Sequence, residues 1–352
     1  MYQLFAEIPH QGPGCLSPEV AFRPDGQQFA VSYLDYDEVR IYNSAECTLA
    51  RTYGNPEAQL DRPHGVLLTD KHLIVANRHR EKCPATYTVY RLGSESSAPV
   101  FTLQTPVDHL LEAHSLAMRD DLLVATHCEH DSSLGALLSY RFDDDTGEIH
   151  GPLDCREDAF DDLGMAKGVA FAADREGILV SFNSDKRISR RQKLAFRLFK
   201  AWNIVATGGL RGVANRLDPQ RQLRTREKAY AGNGIALFDV DGKGRFSAGP
   251  RRVMLRAEFC RLENVAVSQD AVALTDTVNH QVQIFDAGRD PELQHPMQCI
   301  TRDLSLPHGV KFSPDGQLLV VTNYGLRSYN QLIHWQHFRN PRGDKVMVYK
   351  RQ

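Results

Sequence analysis

Pro307-His308-Gly309-Val310-Lys311-Phe312-Ser313-Pro314-Asp315-Gly316, followed by the apolar run 318–323, is the clearest of six copies of one pattern. The other copies start at Pro18, His64, His114, Lys167 and Glu263, and successive first positions are 46, 50, 53, 96 and 45 residues apart. A spacing near 45–50 residues is that of a β-propeller blade, in which each repeat is one four-stranded sheet. Each copy begins with a short apolar strand (A). A turn follows, written Pro24-Asp25-Gly26 and Pro314-Asp315-Gly316 in two copies, a composition suited to a tight hairpin.

The second strand (B) is a continuous apolar run at 29–32, 73–76, 122–126, 178–182, 272–275 and 318–322. Such runs belong to strands buried on both faces. The third (C) alternates and ends on an aromatic: Tyr42, Tyr90, Tyr140, Phe238, Phe285 and Tyr349. Outer strands (D) are read at 48–53, 100–103, 252–255 and 297–301. Blade six has no room for one before Gln352, so residues 2–8 are expected to supply it and close the ring, leaving no open sheet edge. The fold class is therefore all-β: one six-bladed β-propeller domain over 1–352. The 96-residue step holds a long connection, 184–232, between strands B and C of blade four.

The balance of 42 Lys+Arg against 44 Asp+Glu is near neutral, but residues 185–228 carry 13 Lys+Arg and 3 Asp+Glu. Within them, 187–202 (RISRRQKLAFRLFKAW) reads as a basic amphipathic helix. It is expected to dock on the propeller, to meet an anionic membrane surface, or to cover the channel and draw anions in. No regular alternation of aromatics with base-reading residues points to nucleic acid. Seven scattered cysteines without a CxxC pair indicate reduced thiols. With no basic-apolar leader and no apolar run near ~18 residues, the expected location is cytoplasmic, or peripheral at a membrane.

In a propeller the start of strand A and the B–C loop share one face of the disc. Alignment places Pro18, His64, His114, Lys167, Glu263 and His308 around that mouth. The ends of the B strands add Tyr33, Asn77, His127, Asn183, Asp276 and Asn323. Polar groups this dense are costly to bury unless paired. Imidazoles with an open position are a common catalytic arrangement for a divalent ion such as zinc or iron. Hence His64, His114, His308 and His127 are the expected metal ligands. Glu263 and Asp276 are the expected bases, and Lys167 holds an anionic group. Asn77, Asn183, Asn323 and Tyr33 are expected to contact substrate, with Trp335 and Arg327 from the long blade-six loop 324–343. The plainer alternative is a wet channel whose polar residues bond only water.

The segments 307–323 (PHGVKFSPDGQLLVVTN) and 62–77 (RPHGVLLTDKHLIVAN) resemble repeats of the gluconolactonase/regucalcin-like, NHL-repeat and strictosidine-synthase-like six-bladed propellers. The resemblance spans all six blades in pattern. Its lactonase branch holds a divalent cation with Glu, Asn and Asp at strand-A starts. Here those positions read Pro18, His64, His114, Lys167, Glu263 and His308, and Glu19 lies one residue from the first. The chain is also similar in pattern to the peptidyl-hydroxyglycine amidating lyase propeller, whose zinc sits on three strand-start histidines. The resemblance implies a metal-dependent hydrolase or lyase, of lactonase or esterase kind, acting on a small anionic substrate at the channel mouth. The competing expectation is a non-catalytic propeller that binds a protein, lipid or glycan through its top-face loops. No nucleophile elbow, P-loop, Rossmann fingerprint or HExxH helix is present.

Overall fold

A computed structural model describes all residues except 10–15, 80–82, 110–111, 130–133, 162, 174–176, 185–231, 257–258, 260, 278, 305 and 325–344. Among the described residues there are six four-stranded antiparallel sheets, each running A-B-C-D from the axis outward. The inner strands are Val20–Phe22, Pro63–Leu68, Glu112–Arg119, Met165–Phe171, Leu262–Val267 and Pro307–Phe312. The ring closes as the pattern requires: Tyr2–Pro9 pairs with Lys345–Arg351 as the fourth strand of blade six, from Tyr2↔Arg351 to Pro9↔Lys345. Chain start and chain end thus share one sheet.

Strand D of blade three, Ile149–Arg156, had no apolar pattern to reveal it. It is an edge strand whose side chains are exposed or half-buried after Ile149, and Pro152 is tolerated there because an edge N–H need not join a ladder. In blade four, strand B pairs directly with strand C, Ser184↔Gly232, so 185–231 join them. The basic helix expected over 187–202 lies outside the described residues.

The core is not one mass. Among the described residues its six large apolar clusters lie one in each cleft between neighbouring blades, with Cys128 and Met165 as a small seventh. Blades one and two share Ala30, Ile41, Tyr53, Val66, Val75 and Tyr90; blades five and six share Ile284, Val310, Val321 and Met347. The apolar B strands face a cleft on either side, which is why they do not alternate.

Hydroxyl groups tie blade to blade. Ser32 Oγ donates to the His64 carbonyl (2.7 Å), Thr126 Oγ1 to the Lys167 carbonyl, and Thr275 Oγ1 to the His308 carbonyl (3.0 Å). Each comes from strand B of one blade and fixes the ring residue near the start of strand A in the next. The glycines after the ring residues have a matching cause. A Cβ on Gly309 would meet Pro18 O and Thr322 Oγ1, both at 2.7 Å, and one on Gly168 would meet Asn264 Cα at 2.6 Å. The neighbouring backbone passes too close for a side chain.

Candidate metal centre

Five of the six inner strands carry a register shift where the ring residue stands: Pro63/Val66, Ala113/Ser115, Ala166/Val169, Leu262/Val265 and Pro307/Val310. A bulge releases one residue from the ladder and re-aims its side chain. Here it lets strand-start side chains meet at the axis. One ring nitrogen from each of His64, His114 and His308 lies within 4.8 Å of the others, and all three residues are buried. Their ring centroids are 4.3, 5.2 and 5.3 Å apart. Residues up to 244 positions apart in sequence thus form one cluster.

The hydrogen bonds fix which nitrogen faces the centre. His64 Nδ1 meets the His114 carbonyl at 2.6 Å, and His308 Nδ1 meets the Pro18 carbonyl at 2.8 Å. A carbonyl only accepts, so both Nδ1 atoms carry a proton and donate it there. Nε2 of His64 is buried without a hydrogen-bond partner, as is Nδ1 of His114. Nε2 of His308 faces Glu263 Oε2 at 3.4 Å, and His114 Nε2 stands 3.2 Å from the same oxygen.

Glu263 is ionised. Burial alone would raise its pKa, but the Arg261 guanidinium on Oε1, then Lys167, 3.8 Å from Oε2, hold it well below the usual carboxylate range. Burial keeps all three imidazoles neutral, and Arg78 adds to the effect on His64 and His114. The Glu263 oxygen thus stands within reach of the Nε2 atoms of both His114 and His308 in a dry site. Three buried imidazole nitrogens this close together fit a divalent transition metal, and two of the rings, His64 and His308, are oriented by carbonyls at Nδ1.

The other expected residues separate from this group. His127 bonds Tyr87 through Nε2 (2.5 Å), away from the axis. Asp276 accepts from the Arg261 backbone and from the Asn279 and Gln281 amides. Asn77 accepts from Asp61 N, and Asn183 from Leu262 N. Asn323 donates to the Lys345 carbonyl, and the Tyr33 hydroxyl meets that of Tyr42. This second ring pins lead-in segments and neighbouring strands. Trp335 and Arg327 lie outside the described residues.

Several members of the site had not been singled out. Arg261 stands two residues before Glu263, and a period-two spacing in extended chain places both on one side. Arg78 directly follows a B strand, in salt-bridge contact with Glu112 (3.3 Å). The Tyr324 ring stacks on His308 at 4.2 Å. The Cys128 thiol receives Lys167 Nζ (3.5 Å), and burial pushes its pKa up to about 11. One layer deeper, Glu19 accepts from Asn264 Nδ2 at 2.8 Å; burial raises its pKa against the pull of Lys311.

No family model matches the chain, and no curated protein matches it. Solved structures do. A chain of Kuenenia stuttgartiensis hydrazine synthase aligns with TM-score 0.54 at 12% identity, over 100% of this chain and 99% of that one. A calcium-binding regucalcin of Agrobacterium tumefaciens gives 0.56 at 10% identity, over 99% and 96%. A luciferin-regenerating enzyme gives 0.55 at 10%, over 98% and 94%. At these identities the likeness concerns the fold alone. Among the described residues no helix is long and apolar enough to cross a membrane.

Proposed function

We propose that the protein is a metal-dependent hydrolase or lyase acting on a small anionic substrate at the mouth of the propeller channel. The observation that carries this reading is the cluster of three buried imidazoles, one ring nitrogen of each within 4.8 Å of the others, with Glu263 Oε2 at 3.2 and 3.4 Å from the Nε2 atoms of His114 and His308. His64, His114 and His308 would hold the ion, with Glu263 as their anionic partner. A divalent ion so held supplies Lewis acidity, polarising a carbonyl and bringing the pKa of bound water to ~7.

The chain's own groups have separate tasks. Arg261 holds one oxygen of Glu263, so the other stays directed at the imidazoles. A carboxylate this acidic is a weak general base, which assigns Glu263 to the centre instead of to proton abstraction. Lys167 balances Glu263 and anchors Cys128, keeping the wall of the site fixed. Tyr324 stacks on the His308 ring and helps fix its orientation.

The test is elemental analysis of protein purified without a histidine tag. About one transition-metal ion per chain is expected, falling to background in His64→Ala and His308→Ala proteins that still melt cooperatively. If neither purified protein nor protein incubated with zinc, iron(II) or manganese holds an ion, the reading fails. Turnover of a lactone and ester panel by the loaded protein then separates catalysis from a purely structural ion.

A further inference from the structure

Three residues past each ring residue, the inner strands of all six blades reach the same level of the disc. In five blades that place is held by Ala21, Leu67, Ala117, Ala170 and Ala266, all buried. Blade six carries Lys311 there, and the register matches: Ala21 pairs with Ala30, Leu67 with Ile74 and Lys311 with Val320. An ammonium group where five blades place an apolar side chain calls for a counter-ion. Lys71, Lys167 and Lys345 each have a carboxylate within reach. Among the described residues Lys311 Nζ joins no hydrogen bond and no ion pair. Its one charged neighbour is Glu19, whose carboxyl is held by Val20 N at 3.2 Å and Asn264 Nδ2 at 2.8 Å.

Burial, opposed only by Glu19, pushes the Lys311 ammonium below the ordinary lysine range. A lysine without an ion partner in apolar surroundings keeps a larger share of neutral amine, which is the nucleophilic form. Lys311 is half-buried, so a small molecule can reach that amine. It stands next to last in Pro307–Phe312, just before the turn closed by Gly316 N on the Ser313 carbonyl. That places it toward the face opposite the histidine centre.

We propose that Lys311 is a second reactive site, an amine that forms an imine with small uncharged aldehydes or ketones entering from the face opposite the histidines. The Nζ lone pair attacks the carbonyl carbon and forms the C–N bond. Both amine hydrogens then leave with the carbonyl oxygen as water, so no oxidant or further reactant enters the balance. With Glu19 as the sole charged neighbour, a carboxylate on the incoming molecule would find no cation to pair with. This site does not depend on the metal reading of the histidine centre.

Propanal is the probe. The protein is treated near neutral pH with limiting propanal and cyanoborohydride, which adds hydride to the imine carbon while solvent protonates the nitrogen. Propylated lysines are then mapped by mass spectrometry. Lys311 is expected to react at least about tenfold faster than the exposed Lys243 and Lys350, which stay almost wholly protonated at an ordinary pKa near ~10.4. The advantage should vanish in urea. With glyoxylate, an anionic aldehyde, the ratio of Lys311 to Lys243 labelling should be smaller than with propanal. Lys311→Ala, which gives blade six the residue four other blades carry, is expected to stay folded, and it and Lys311→Met should both lose the fast-reacting equivalent. Labelling of Lys311 no faster than the exposed lysines, an advantage that survives in urea, an equal or larger ratio with glyoxylate, or a fast equivalent that persists in both variants overturns the proposal.

Discussion

His64, His114 and His308 do what three buried imidazoles seldom do: they gather at one point beside a carboxylate. That makes the metal-free protein sensitive to acid. Burial, then the nearby Arg78 charge, holds the His64 pKa well below its ordinary 6.5. The unfolded chain takes up protons as pH falls through 6.5 while the folded protein refuses them. Stability from this source is therefore complete above 6.5 and declines below it. Each imidazole kept neutral costs about 1.4 kcal/mol per pH unit in that range. Urea melts of metal-stripped protein at pH 7.5 and 5.5 should show the loss, and His64→Asn should shrink it. An unchanged slope in that variant would remove His64 from the account. Bound metal should oppose the loss, since a ligand at 100 times its Kd adds about 2.7 kcal/mol. The imidazoles and Glu263 were legible from repeat alignment alone. Arg78 was not, because one arginine after a B strand looks like any solvated cation until the fold aims it at the axis.

At the scale of the strand, the recurring Gly and Ser/Thr positions have a packing cause that a single chain conceals. Gly309→Ala must displace Pro18 O or Thr322 Oγ1, and overpacking of this kind costs about 1–3 kcal/mol. Thr126→Val removes the donor to the Lys167 carbonyl and the acceptor of Ser115 N. Leaving buried backbone groups unsatisfied costs about 1–3 kcal/mol. Chemical denaturation should report both losses at unchanged m-value. A stabilised Gly309→Ala protein would show that the blades are not in contact there. These positions read in sequence only as "small after the ring residue" and "hydroxyl in strand B", because their partners belong to the next blade.

For the molecule as a whole, closure depends on Tyr2–Pro9 completing blade six. Removing residues 1–9 would expose the edge of Lys345–Arg351 and open a ladder that other chains can join. Size-exclusion chromatography and a thermal melt should show aggregation and a lower Tm. A circular permutant that joins Gln352 to Met1, whose backbones already meet at 2.9 Å, should remain monomeric and folded. A stable, monomeric deletion would mean that the blade-six sheet holds without its outer strand.

Period and hydrophobic pattern were sufficient for six blades, for closure by the first strand and for the composition of the inner ring, because each blade repeats the same local physics. Which ring members meet was decided only by the tertiary structure. Five bulges and the inter-blade hydroxyls set the angle at which each side chain leaves its strand. Carbonyls from neighbouring blades chose the tautomers, and buried counter-charges chose the ionisation. Those forces act across clefts between segments remote in the chain, where spacing along the sequence carries no information.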